Sequence, residues 1–198
     1  LRKHMSRVFL SHSSRDNRHA IALKRWVELA EPGLVGEIYV DVDPETGIGT
    51  GMRWTEALWQ ANARCEAVIC LLSSNWATSA ECHAEYRQAE GMDKPIFCAR
   101  IEAFTEVDVT RVWQSCDLFG DGPATEVVVD RGDGPLRLQV DGLHRLLRGL
   151  RAVGIGADSF HVAATRGSGP LAVSRLAAAR IRRRCSLFRT GRADRARA

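Results

Sequence analysis

Three stretches of this 198-residue chain carry side chains able to do chemistry. The first is Ser11-His12-Ser13-Ser14-Arg15-Asp16, where hydroxyls, an imidazole and a guanidinium follow directly on the apolar run Val8-Phe9-Leu10. The planar fork of Arg15 suits a phosphate. The hydroxyls and Asp16 suit either a ligand or the free N–H groups of a helix start. The second stretch, Asp41–Gly51, mixes acids, threonines and three glycines. Its Gly47-Ile48-Gly49-Thr50-Gly51 segment invites a phosphate-loop reading, but it fits neither nucleotide-binding glycine motif, since Met52 stands where the dinucleotide fingerprint needs its last glycine. The third stretch, Ser73–Glu85, ends in two carboxylates, Glu81 and Glu85, with Cys82 and His83 between them.

Such groups act only if the fold gathers them. Apolar runs at Val8–Leu10, Ile38–Val40, Ala67–Leu72, Pro95–Ile101 and Thr125–Val129 read as strands. Between them lie helical patterns at Asp16–Ala30, Met52–Ala63, Ala80–Glu90 and Asp108–Leu118, and a last one at Val140–Val153. Asp16 or Asn17 is the expected cap of the first helix, whose apolar positions include Ile21, Leu23, Trp26, Val27 and Leu29. Strands alternating with helices imply an α/β domain: a five-stranded parallel sheet with helices on both faces, doubly wound and flavodoxin-like. In such sheets ligands collect outside the carboxyl ends of the strands, where helix N-termini also point. That rule favours Glu85 over Glu90. Both border the apolar stripe of Cys82, Tyr86 and Ala89, but Glu85 is nearer the sheet edge.

Trp59 is expected in the core. For Trp54, beside the glycine-bearing loop, and Trp76, in the third stretch, the choice is between core or interface packing and stacking on a ligand ring. No histidine or acid spacing suggests a metal. The six cysteines, Cys65, Cys70, Cys82, Cys98, Cys116 and Cys185, contain no C-x-x-C pair and read as buried free thiols of a reducing cytosol. Cys82 and His83 are sequence neighbours pointing different ways on a helix, which argues against a Cys/His nucleophile pair.

The net charge of +4 conceals an asymmetry. From His161 onward there are ten arginines and a single acid, Asp194, or +9; subtracting this from +4 leaves −5 for residues 1–160. The body therefore lacks a nucleic-acid footprint. Residues 157–198 read as a disordered Arg/Ala-rich appendage or as a stretch of shifted reading frame. Contact with nucleic acid or an anionic membrane is the least favoured alternative, and no function is built on this tail. No apolar run approaches the ~20 residues of a membrane span. The N-terminus lacks the apolar core of a secretory signal, and Met5 is the expected natural start.

The strand-to-turn stretch Arg7–Asp16, the loop Asp41–Gly49 and the segment Ser73–Glu85 together resemble a TIR (Toll/interleukin-1 receptor) domain of bacterial type, with residues 5–156 as the domain. The resemblance implies a cytoplasmic protein of signalling or defence. In NAD-cleaving members a glutamate of the third helix is catalytic, commonly three positions after a small residue, as Glu85 follows Cys82. Glu81 stands where the family often has tryptophan. The resemblance thus implies NAD as substrate, with no further cofactor. Glu85 would be catalytic, and Ser11, His12, Ser13, Arg15, Asp43, Trp54, Trp76 and Cys82 would be substrate contacts. Products would be nicotinamide and ADP-ribose or a cyclic isomer. It also implies self-association, with Asp43, Pro44 and Gly47 in a mobile assembly loop.

Breaking a nicotinamide–ribose bond passes through an oxocarbenium-like state that one carboxylate can stabilise. Nicotinamide leaves as a neutral base, so no general acid is needed. The alternative for Glu85 is an exposed helix glutamate paired with an Arg or Lys. The alternative for the whole chain is a non-catalytic module that recruits other TIR domains. A phosphoacceptor receiver is excluded, because Ser11-His12-Ser13 and Ser73-Ser74 stand where that fold needs aspartates.

Overall fold

The computed structural model describes residues 6–42, 54–104, 110–129 and 134–156. Asp43, Pro44, Gly47 and the basic tail 157–198 lie outside the described residues, as does the Trp54 side chain.

The central sheet is parallel and five-stranded, in the order β2-β1-β3-β4-β5. Its strands are β1 (Val8–Ser11), β2 (Ile38–Tyr39), β3 (Ala67–Leu72), β4 (Ile96–Arg100) and β5 (Ser115–Asp117). All six side chains of β3 are buried, as a central strand covered on both faces requires. Val8 lies opposite Ala67 and Ser11 opposite Cys70 in the β1–β3 register.

Alternation along the strands divides the core in two. Val8, Leu10, Ile69 and Leu71 face α1 (Asn17–Ala30) and α5 (Val140–Ala152) in an aliphatic cluster. Phe9, Val68, Cys70 and Leu72 face α2 (Trp54–Arg64) and α4 (Ala80–Gly91), together with Leu58, Cys82 and Tyr86. Ser11 follows Phe9 by two, so it points to the α4 face. This parity is what makes a meeting of Ser11 with α4 possible. A single turn, α3 (Ser74–Ala77), connects β3 to α4.

The fifth strand corrects the sequence expectation. It is Ser115–Asp117, inside the expected helix, and not Thr125–Val129. β6 (Ala124–Val127) instead pairs antiparallel with β7 (Leu136–Gln139) in a separate two-stranded sheet. Val127 and Val129 are buried while Val128 is 68% exposed, the half-buried alternation of such a hairpin. β5 has one apolar side chain, Cys116, and takes its place through tertiary contacts. Arg100 Nε lies 2.5 Å from Asp117 Oδ1. Gly142 of α5 presses on the strand so closely that a Cβ there would sit 1.9 Å from the Asp117 carbonyl oxygen. Trp59 is 59% exposed, against the expectation of a core residue. Leu58 and Asn62 face inward at helical spacing, and the next position turns Trp59 out. Leu29 is likewise exposed at the end of α1.

Candidate active site

At the carboxyl edge of the sheet the first and third loops are locked together by one buried acid. Ser73 Oγ donates to Asp16 Oδ2 at 2.5 Å and Asn75 Nδ2 donates to Asp16 Oδ1 at 2.9 Å. Asp16 occupies the capping position of α1, but its carboxylate makes no cap bond there. Ser13 instead caps the short turn Ser14–Asp16, accepting from the Arg15 N–H. Ser73 also accepts from the Trp76 backbone N–H at 3.0 Å, so the same lock fixes α3.

Ser79 starts α4 by accepting from the Cys82 N–H at 3.3 Å, which brings Glu85 to the sheet edge one turn later. The Glu85 carbonyl oxygen accepts from Asn62 Nδ2 of α2 at 2.8 Å, fixing the helix against its neighbour. Ser11 Oγ donates to Glu85 Oε2 at 2.6 Å. No second protein donor reaches the Glu85 carboxylate among the described residues. Burial drives the Glu85 carboxyl up to about 7; the Ser11 hydrogen bond opposes this, and Asp41 and Glu81 add to it.

Beside this carboxylate opens a cavity of about 240 Å³, lined by His12, Ser13, Asp41, Glu81, Cys82 and Glu85 among others. Three acids on its wall favour a cationic or electron-poor guest. Each His12 ring nitrogen faces acceptors: Leu10 O is 3.3 Å from Nδ1, while Asn17 Oδ1 at 3.0 Å and Asp41 Oδ1 at 3.3 Å face Nε2. The Cys82 thiol is pushed up to about 12 by burial and stays protonated, so it is no nucleophile. Desolvation, with Asp41 and Glu85 nearby, holds the Tyr39 hydroxyl at about 12.

The structure thus gathers Ser11, His12, Ser13, Cys82 and Glu85. Arg15 is exposed and outside the cavity lining. Trp76 is 0% exposed, so of its two alternatives the core is the one observed. Asp43 is outside the described residues, and Asp41 is the acid that reaches the cavity. Asp41 follows the end of β2 by two residues, a strand-end signal that singles it out. Glu90 accepts from the Tyr86 hydroxyl at 3.0 Å, away from the cleft.

A larger cavity of about 550 Å³ lies between β4, β5 and α5, with Arg145 and Arg148 as its charged lining and no carboxylate. It cannot stabilise a developing cation. Among the described residues no group of three or more His, Cys, Asp or Glu side chains could hold a metal. The five described cysteines are all buried. No described helix is long and apolar enough to cross a membrane.

The TIR domain family model matches residues 8–129. Among solved structures, the TIR domain of the Toll-related receptor TRR-2 from the lower metazoan Hydra magnipapillata (crystal form I) is similar, with a TM-score of 0.48 and 12% identity. That likeness covers 57% of this chain and 83% of that one. No curated protein matches the chain.

Proposed function

Because the chain belongs to the TIR domain family, we propose that it is an NAD⁺ glycohydrolase whose reacting carboxylate is Glu85. The observation that carries this reading is a half-buried carboxylate at a cavity wall, fed among the described residues by a single donor, Ser11, at 2.6 Å. Its position at the carboxyl edge of the sheet is where ligands of such folds bind.

The nicotinamide–ribose C1′–N bond breaks with its electron pair passing to the ring nitrogen, which neutralises the pyridinium. The ribose is left with an oxocarbenium-like C1′. Glu85, as carboxylate, stabilises that cation, and water adds at C1′ with loss of a proton to give ADP-ribose. An internal nucleophile of the dinucleotide at C1′ gives a cyclic isomer instead. Asp41 and Glu81 add negative potential that favours the cationic end of NAD⁺ in the cavity. At about 240 Å³ the cavity is below the ~300–1,000 Å³ of pockets that enclose a whole drug-sized ligand. It therefore takes the nicotinamide riboside end and leaves the diphosphate toward the rim. Activity in self-associated protein, in a defence or signalling role, belongs to this reading.

Nicotinamide release from NAD⁺ by the full chain, concentrated or held on a crowding surface, tests it beside Glu85→Ala. Release by the parent and none by the variant supports the enzyme. Silence from both, with folding and assembly verified, assigns a recruitment module instead.

A further inference from the structure

Behind Glu85 the hydrogen bonds run in one direction. The Trp76 indole Nε1–H donates to Ser11 Oγ at 3.1 Å, and Ser11 Oγ–H donates to Glu85 Oε2 at 2.6 Å. An indole N–H is a donor and never an acceptor. Ser11 must therefore accept from Trp76, which leaves its one hydroxyl hydrogen for the carboxylate. Trp76 is 0% and Ser11 1% exposed, so the indole N–H and the hydroxyl are both buried. A serine hydroxyl ordinarily rotates to suit its surroundings. Here the indole N–H takes one lone pair and narrows that freedom to the directions of Glu85 and the Cys82 thiol, of which the carboxylate is the stronger acceptor.

We propose that Trp76 and Ser11 form a one-way relay that positions Glu85, in which Trp76 acts on the carboxylate only through the Ser11 hydroxyl. The value of the relay to catalysis rests on the NAD⁺-cleaving reading above; the relay itself does not need NAD⁺. Both are positioning residues. Trp76 lies in the core, fixed by its backbone bond to Ser73 and by edge-on packing with Tyr86, ring centroids 6.4 Å apart.

A donor to the ionised carboxylate counters burial, and removing the donor lets the carboxyl titrate higher. Among the described residues the other charged or titratable groups around Glu85 are Tyr39 from β2 and Asp41 just beyond it, Glu81 and Cys82 from α4, Cys70 from β3, and His12, which lines the same cavity. The α2 residues against it, Leu58 and Asn62, carry no charge. Cys82 also lies within hydrogen-bond reach of Ser11, giving the hydroxyl a competing direction once the indole N–H is gone.

The test is a carbon-13 NMR titration of the glutamate side-chain carboxyls in the full chain without NAD⁺, the Glu85 signal being assigned by its loss in Glu85→Gln. Ser11→Ala should raise the Glu85 midpoint by about one unit. Trp76→Phe should raise it in the same direction by a smaller amount. The double variant should match Ser11→Ala alone, because contacts in series are non-additive. If Trp76→Phe does not fold, β-(3-benzothienyl)alanine at position 76 keeps the bicyclic shape and deletes only the N–H.

A Glu85 midpoint unmoved by both position-76 replacements, or a position-76 effect that adds in full to Ser11→Ala, overturns the relay. Nicotinamide release separates the two readings. If the midpoints move as stated but the parent releases no nicotinamide, the relay stands and the glycohydrolase falls. If the parent turns NAD⁺ over and the midpoints do not move, the relay falls alone.

Discussion

Asp16 and Glu85 are both carboxylates drawn below the surface at the same edge of the sheet, and the fold uses them in opposite ways. Asp16 is 6% exposed, and each of its oxygens receives a side-chain donor, one from Ser73 and one from Asn75. Its hydrogen-bonding capacity goes into joining two loops. Among the described residues Glu85 receives one donor at one oxygen, stands against a cavity, and has two further acids nearby that raise its proton affinity. A satisfied buried acid is a fastener, whereas an under-satisfied one beside open space has interaction energy left for a ligand.

The largest expected effect separates the two by activity. Glu85→Gln keeps the shape and the Ser11 contact but removes the negative charge, and nicotinamide release should fall by roughly 100-fold or more. Its melting temperature at neutral pH should not fall. Asp16→Ala should do the reverse. It leaves the Ser73 and Asn75 donors without their acceptor, destabilising the fold by about 2–4 kcal/mol, visible as a lower urea midpoint.

The pH dependence sharpens the contrast. On the proposed reading Glu85 acts as the ionised form, and burial lifts its carboxyl to about 7. Turnover should therefore fall about tenfold per pH unit on the acid side of that value and level off above it. A rate that is flat across this range would detach the chemistry from Glu85. The smallest effect is on stability. Because burial lifts the folded-state carboxyl from 4.5 to about 7, the fold favours the protonated form. That contribution is complete below the unfolded value and is lost as pH rises through the folded one. Glu85→Gln should accordingly stabilise the ligand-free protein near pH 8 and by much less below the unfolded-state value, as urea unfolding at the two pH values would show.

Much of this arrangement is legible along the chain. The Ser/His-rich turn after Val8–Leu10 and the Cys82–Glu85 spacing identify two of the site's walls, and strand parity puts Ser11 on the face that meets α4. What escapes the sequence is fixed by contacts distant along the chain. β5 has too little apolar character to be recognised, and it depends on Arg100 and on the close approach of Gly142. The run Val127–Val129, of which only Val127 belongs to β6, looks more like a core strand than β5 does. Trp59 and Trp76 both stand on helices of the α4 side of the sheet, but helical phase turns one outward, while the Ser73–Asp16 lock fixes the turn that buries the other. In sequence Ser73-Ser74-Asn75 is a polar run following the apolar residues of β3. Only the folded chain shows Ser73 and Asn75 converging on Asp16, which sequence places at the start of α1.

The most direct test measures nicotinamide release per folded molecule for the parent, Glu85→Gln and Asp16→Asn, in assembled protein near pH 8. The expected result is turnover by the parent, near silence from folded Glu85→Gln, and turnover by Asp16→Asn in proportion to its folded fraction. Parent-like turnover from Glu85→Gln, or a fully folded but silent Asp16→Asn, would contradict the division of labour between the two acids.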